Sequence, residues 1–289
     1  MVNWSELGAV APGALEPARL LAHHGVQWVS RAARANLAAE PDDSHSNLGW
    51  NEDAGALVSH EVAGKDGWIG LGLRLADLTL FVEADGGAPA SIALDGRSDA
   101  AVGVALDAAL AVHGLAPATP VTLPYDMPAH AVAGGATYDV AGAAAALAEL
   151  ARWFSAAAEI LEDFAGRQAD ISRRSSSLGS SPVRCWPHHF DIATLVTLEE
   201  GDPETARSVG VGLSPGDETY RQPYFYVNPW PHLAIDDLPD LPATGHWHAQ
   251  GFVGAIATGE DVLSLADRRA GLAAFIEGAF VASTARLGL

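Results

Sequence analysis

The sequence predicts an α+β fold built by tandem duplication of a unit with one helix, four antiparallel strands and one helix. Short strand-like runs are separated by hairpin-sized turns such as Lys65-Asp66-Gly67, and helical periodicity flanks each set of strands. Similar residues also recur in the same order in both halves of the chain. We therefore place the first repeat at 1–116, a connector at 117–138 and the second repeat, with longer loops, at 139–289.

The first repeat begins with a helix over 15–37, where apolar residues recur at helical spacing and Pro17 falls in the first turn. A second helix over 99–113 ends before Gly114, a typical residue after a helix C-terminus. Between them, strands are expected at 56–62, 68–73, 78–83 and 90–94. In the connector, rich in Pro and Gly, a short strand is expected at 121–123.

The second repeat begins with a long Ala-rich helix over 139–168, followed by a Ser- and Arg-rich linker over 169–181. A last helix covers 261–286. Strands are expected at 190–198, 209–213, 224–228 and 247–258, and the segment 232–245 reads as a loop.

Three local similarities carry the duplication hypothesis. In chain order they pair Gln27-Trp28-Val29-Ser30 with Arg152-Trp153-Phe154-Ser155, Ala56-Leu57-Val58-Ser59 with Thr194-Leu195-Val196-Thr197, and Ile69-Gly70-Leu71-Gly72-Leu73 with Val209-Gly210-Val211-Gly212-Leu213. The alternative is that helices and Gly-x-Gly strands look alike by chance. The common order favours duplication.

Composition narrows the class of partner and the compartment. The formal net charge is −20, from 36 Asp and Glu against 16 Lys and Arg, which disfavours binding to nucleic acid or to anionic membranes. The single cysteine, Cys185, rules out an intramolecular disulfide. With no signal peptide or membrane-length apolar run in the sequence, we expect a cytoplasmic protein. The sequence does not predict the oligomeric state.

Strand alternation predicts a polar face on the sheet of the second repeat. With Gly210 and Gly212 as a floor, this face collects the candidate ligand-binding residues His189, Asp191, Tyr224, Tyr226, Trp230, His246, His248 and Gln250. Two explanations of the glycines stay open. They leave room for a small ligand, or they let the Ala-rich helix with Ala156, Ala157 and Ala158 pack on the strands. Trp230, between two prolines, fits either a buried loop anchor or a stacking platform for a ring.

Four of these residues also suggest a metal-binding site. His246-x-His248 places two imidazoles on one strand face, and His189 and Asp191 complete a set of nitrogen and oxygen ligands for a divalent metal. The alternative is that the histidines are ordinary solvated side chains at a strand start and in a turn. His188 points the other way by alternation and is expected to be a packed or capping residue.

Several motifs together resemble the DUF5996 family of uncharacterised bacterial proteins. They are a helix ending near Gly166, then Ser181-Pro182-Val183, Phe190-Asp191-Ile192-Ala193, and a later Phe225-Tyr226 with spaced prolines. The chain departs from that pattern where His188-His189 replace the small residues before Phe-Asp. The resemblance implies no activity.

Two classes of function follow from these residues. The first is a small-ligand-binding or interaction protein without catalysis. The alternative is a metal-dependent enzyme that uses the His and Asp cluster on the polar face of the second repeat. The sequence leaves the identity of the ligand open.

Overall fold

The computed structural model describes residues 2–84, 87, 89–172, 179–201, 205–235, 238–241 and 244–288. Within these ranges the chain forms five α-helices and thirteen strands, arranged as an α+β fold with two antiparallel sheets. Among the described residues, no helix combines the length and the apolar character needed to cross a membrane.

The elements follow the predicted order. The first part contains α1 (Glu16–Asn36), β1 (Gly49–Asn51), β2 (Ala56–Val58), β3 (Val62–Gly64), β4 (Gly67–Arg74), β5 (Thr79–Ala84), β6 (Ala90–Ala93) and α2 (Asp99–Val112). The second contains α3 (Val140–Ser172), β7 (Gly179–Ser180), β8 (Arg184–Trp186), β9 (Asp191–Thr197), β10 (Ser208–Ser214), β11 (Tyr224–Trp230), β12 (His246–His248), β13 (Gly254–Thr258), α4 (Gly259–Ser264) and α5 (Arg268–Arg286).

The chain packs into two compact units whose boundaries differ from the proposed repeats. The first unit comprises Ala14–Arg152 and Arg184–Phe190, and the second comprises Met1–Gly13, Trp153–Val183 and Asp191–Leu289. The boundary thus falls inside α3. It also falls between Phe190 and Asp191, so the Trp186-Pro187-His188-His189 segment belongs to the first unit and the strand after it to the second.

The first unit contains a sheet of order β1-β2-β4-β5-β6, with β3 paired to β4 at one end. Leu57, Leu71, Leu73 and Leu80 point to its buried face, and α1 packs against β4. Ser98 caps α2 by accepting a hydrogen bond from the Ala101 amide. β8 joins this unit through the backbone pairing of Cys185 with Leu48.

The sheet of the second unit runs in the order β12-β13-β11-β10-β9-β7. Its apolar face is buried, with Val209, Val211, Leu213, Phe225 and Val227 fully or almost fully covered. α5 packs against β10, β11 and β13 on this face, and the ring of Trp153 from α3 lies 6.5 Å from that of Phe225. The opposite side of the sheet is called here the outer face.

Each Gly-x-Gly strand occupies the same place in its sheet. β4 lies between β2 and β5, and β10 lies between β9 and β11, so each has an antiparallel neighbour on both sides. The helix–strands–helix pattern therefore fits in both halves, while duplication itself stays a prediction. The predicted match of Val58 with Val196 is out of register. Val58 lies opposite Gly72, and Ala193 lies opposite Gly212, so Val58 corresponds to Ala193.

Four local predictions need correction. The strand expected at 247–258 is a hairpin of β12 and β13, because Gly251 adopts a φ of +87° between them. The last helix divides into α4 and α5, where Asp267 caps a new start by accepting from the Ala270 amide. The segment 121–123, flanked by two prolines, forms no strand. α3 extends to Ser172, so the linker expected at 169–181 starts later, and 173–178 lie outside the described residues.

Candidate functional site

Strand register brings most of the predicted polar residues to the outer face of the second sheet. Tyr226 lies opposite Gly212 on one side and Ile256 on the other, and His246 lies opposite the same Ile256. Gly212 in turn lies opposite Ala193. Because directly opposed residues of antiparallel strands share a face, the side chains of Tyr226 and His246 project from the same side. The predicted alternation is therefore confirmed for these strands.

A tyrosine ring fills the space above Gly212. A Cβ added to Gly212 would lie 2.6 Å from both Cζ and Oη of Tyr226 and 2.8 Å from the Cβ of Ala193. The Tyr226 hydroxyl donates a hydrogen bond of 2.5 Å to Oδ2 of Asp191, which holds the ring across the strand. In the first unit, the ring of Phe81 lies over Gly72 in the same register.

Neither room for a ligand nor packing of the Ala-rich helix, the two predicted explanations, accounts for a glycine at position 212. The Ala-rich helix packs on the other side of the sheet, where Trp153 meets Phe225, so it does not cover this glycine. An open cleft is also absent above Gly212, because the Tyr226 ring occupies that space. The glycine instead permits an aromatic side chain from the neighbouring strand to lie flat on the backbone.

The space above Gly210 is different. A Cβ added there would have the Asn228 carbonyl oxygen at 3.8 Å and Cε2 of Tyr226 at 4.0 Å as its nearest neighbours, which is ordinary contact. Asn228 and Leu195 lie directly opposite Gly210 on its two sides, and Leu195 is 46% exposed. The position above Gly210 is thus not filled as the one above Gly212 is, and it is here called the Gly210 recess.

Asn228, directly opposite Gly210, carries a buried polar atom. Its Oδ1 is buried, yet it has no hydrogen-bond partner within the described ranges. A buried acceptor without a partner costs about 1–3 kcal/mol. This acceptor belongs to the residue that lies directly opposite Gly210 on the neighbouring strand.

The two histidines of β12 are joined through Tyr220, a residue that sequence reasoning missed. The Tyr220 hydroxyl lies 2.8 Å from Nε2 of His246 and 3.0 Å from Nδ1 of His248, and Nε2 of His248 lies 2.6 Å from the Gln250 carbonyl oxygen. A carbonyl oxygen only accepts, so Nε2 of a neutral His248 carries the proton and Nδ1 accepts from Tyr220. His246 then donates to the tyrosine oxygen, which gives a directed chain from an exposed to a buried imidazole.

A second tyrosine–carboxylate pair stands beside this chain. The hydroxyl of Tyr224 donates to Oδ2 of Asp217 at 2.6 Å, and the rings of Tyr220 and Tyr224 lie 5.0 Å apart. Burial, followed by the hydrogen bond to Asp217, raises the pKa of Tyr224 well above its ordinary value. Burial also raises the pKa of Tyr220. These phenols remain protonated at neutral pH and act as hydrogen-bond donors.

The predicted set of four metal ligands is not assembled. Across the part of the chain that the structure describes, no group of three or more His, Cys, Asp or Glu side chains is placed to hold a metal ion. The ring nitrogen of His246 is engaged by Tyr220, and Asp191 accepts from Tyr226. His189 belongs to the first unit, where its exposed ring lies 4.0 Å from that of His188.

The remaining predicted residues lie at the edges of the outer face. Gln250 contributes its backbone carbonyl to His248, while its side chain is exposed. Trp230 is 40% exposed and meets the ring of His232 edge-on at 5.1 Å, so it is not a buried anchor. It precedes a cis peptide bond to Pro231.

A cavity of about 400 Å³ lies beside the segment that follows Trp230 in the chain. Its lining is Arg207, Pro231, His232, Leu233, Ala234, Arg286 and Leu287. The Arg207 guanidinium is already engaged, because Glu199 accepts from Nε and Nη2 and the Leu287 carbonyl accepts from Nη1. This cavity therefore offers less free hydrogen-bonding capacity than its two arginines suggest.

The first unit contains a buried polar cluster on α1 that the sequence analysis did not single out. Gln27 donates to the carbonyl oxygens of His23 and Pro187 and accepts from the Tyr125 hydroxyl. The ring of His23 lies 2.9 Å from the same Pro187 carbonyl, and burial lowers its pKa to about 4. The signal in the sequence was the pair of polar residues one turn apart, at 23 and 27, on one face of this helix.

His188 lies at the edge of this cluster. Its ring contacts those of Tyr125 and Trp186, and burial, followed by the neighbouring His189, lowers its pKa to about 4. The expectation of a packed histidine fits this placement.

Comparison with protein-family models, with curated proteins and with solved structures gives no match to this chain. The resemblance to the DUF5996 family stays a prediction.

Proposed function

We propose that this protein binds a small polar molecule in the Gly210 recess, without catalysing a reaction on it. One observation carries the proposal: Oδ1 of Asn228 is a buried acceptor without a hydrogen-bond partner among the described residues, and Asn228 lies directly opposite Gly210, where an added Cβ would meet no atom closer than 3.8 Å. A ligand with an N–H or O–H group would supply the missing donor.

The walls of the recess narrow the class of ligand. Leu195 and the edge of the Tyr226 ring offer apolar contact on either side of Gly210. Asp191 lies on the same face, and the chain carries a net charge of −20, so anions are disfavoured. The favoured ligand is therefore a neutral or cationic molecule with a small apolar part and at least one hydrogen-bond donor.

The neighbouring polar groups favour binding over catalysis. The hydroxyls of Tyr224 and Tyr226 donate hydrogen bonds to carboxylates, and the Tyr220 hydroxyl is hydrogen-bonded to two imidazoles. A catalytic acid or base needs a polar atom that faces the substrate, whereas these atoms face each other. The hydrogen bond from Tyr226 to Asp191 fixes the ring that borders the recess.

Filling the recess tests the proposal. In Gly210→Ala, the added methyl group meets no atom closer than 3.8 Å, so the variant should fold while losing the space for a ligand. Gly70→Ala is the matched control, because Gly70 occupies the same place in the first sheet and its Cβ would meet only the Glu83 carbonyl at 3.9 Å. A library of neutral amide and polyol fragments would be titrated into each protein and followed by NMR.

Fragments with N–H or O–H donors should shift the Leu195 methyl signals in the wild type and in Gly70→Ala, but not in Gly210→Ala. Equal shifts in Gly210→Ala would place the binding elsewhere. Failure of every fragment to shift Leu195, with only an ordered water at Asn228 in a crystal structure, would refute the proposal.

A further inference from the structure

A second cavity lies wholly within the first unit and is lined mainly by the segment that follows α1. It measures about 390 Å³ and is lined by Leu37, Ala38, Glu40, Ser44, His45 and His60. Leu37 and Ala38 provide an apolar wall, and the two histidines provide nitrogen atoms. None of these residues takes part in the outer face of the second sheet, so this cavity is independent of the proposed function.

The backbone fixes which nitrogen of His45 carries the proton. The amide N–H of Glu40 points at Nδ1 of His45 with a nitrogen–nitrogen distance of 3.1 Å. An N–H group only donates, so Nδ1 accepts and a neutral His45 bears its proton on Nε2. His45 is buried, and its Nε2 has no hydrogen-bond partner among the described residues.

His60 has the same tautomer, but its hydrogen bonds engage the other ring nitrogen. Its Nε2 lies 3.1 Å from the Ser44 carbonyl oxygen and 2.9 Å from Oδ1 of Asn47. Both atoms are acceptors, so Nε2 carries the proton and Nδ1 has a free lone pair. Within the described ranges, no side chain or backbone group donates to that Nδ1.

We infer that this cavity is a second binding site, for a small uncharged molecule that has an acceptor and a donor next to each other. His45 supplies an N–H and His60 supplies a lone pair, and both residues line the same space. Amides and heterocyclic lactams match this pattern, because a carbonyl oxygen and an N–H stand side by side in them. The exposed carboxylate of Glu40 disfavours anions, and no set of metal ligands exists among the described residues.

The probe is 2-pyridone, a planar lactam that presents one carbonyl oxygen and one adjacent N–H. Its N-methyl derivative keeps the ring and the carbonyl but lacks the donor. Titration of the full chain, followed by two-bond proton–nitrogen NMR correlations of the histidine rings, reports both affinity and the tautomer of each ring.

2-Pyridone should shift the ring signals of His45 and His60, and N-methyl-2-pyridone should bind about tenfold more weakly, as expected for the loss of one hydrogen bond. His60→Gln should weaken 2-pyridone similarly, whereas His113→Gln, at the end of α2 outside the cavity lining, should not. Leu37→Trp, which fills the cavity from its apolar wall, should abolish binding without removing either histidine.

Equal affinity for the two compounds would overturn the donor–acceptor assignment. Absence of binding by wild-type protein, or binding that survives Leu37→Trp, would overturn the site itself. A spectrum in which His45 bears its proton on Nδ1 would contradict the premise independently of any ligand. None of these results bears on the Gly210 recess, so the two proposals fail separately.

Discussion

Replacement of Gly212 by alanine tests how the outer face is built. The new Cβ would lie 2.6 Å from Cζ of Tyr226 on one side and 2.8 Å from the Cβ of Ala193 on the other, so the ring must lift. Lifting it breaks the hydrogen bond from Tyr226 to Asp191. A hydrogen bond to a charged group contributes about 1.5–3 kcal/mol, and overpacking costs about 1–3 kcal/mol. We expect Gly212→Ala to lower the free energy of unfolding by about 4 kcal/mol.

Urea unfolding followed by far-UV circular dichroism measures this loss. Gly210→Ala is the control on the same strand, because its methyl group meets no atom closer than 3.8 Å. It should leave stability unchanged or raise it by about 0.5 kcal/mol, since alanine restricts the unfolded chain. A Gly212→Ala protein within about 1 kcal/mol of the wild type would show that the Tyr226 ring does not depend on this glycine.

Two further predictions concern buried polar groups. The pKa of His23 is about 4 in the folded protein against 6.5 in the unfolded chain. As the pH falls, the His23 ring is therefore protonated in the unfolded chain before it is protonated in the folded protein. Stability should drop between pH 6.5 and pH 4 by about 3 kcal/mol from this residue; a His23→Gln variant with the same pH slope in urea titrations would contradict it. Tyr220→Phe removes the partner of His246 and of the buried Nδ1 of His248, and should destabilise the fold by about 1–3 kcal/mol in the same assay. An unchanged midpoint would mean that the chain of hydrogen bonds contributes no stability.

Periodicity predicted the elements and the faces well. Alternation on β10 and β11 placed Gly212 and Tyr226 together because the period of a strand is fixed and one face must be buried. The same reasoning placed His246 and His248 on that face. These successes needed only local geometry.

The sequence predicted less about contacts between distant residues. Tyr220 and Asp217 lie in the turn between β10 and β11, where no alternation assigns a direction to a side chain, so their hydrogen bonds were missed. His189 was assigned to the face of β9 by continuing the alternation backwards, but Phe190 adopts a φ of +59°, which ends the strand geometry there. The position of the Tyr226 ring above Gly212 also depends on a side-chain rotamer, which the spacing of residues in the sequence does not determine.

The most direct test of binding in the Gly210 recess is a crystal structure of the protein soaked with a neutral primary amide such as acetamide. If the recess binds donors, density for the amide should lie above Gly210 with its nitrogen about 2.9 Å from Oδ1 of Asn228, and Gly70→Ala crystals should show the same density. Density for water alone at Asn228, or an Asn228 side chain turned out of the recess to a protein partner, would contradict the proposal.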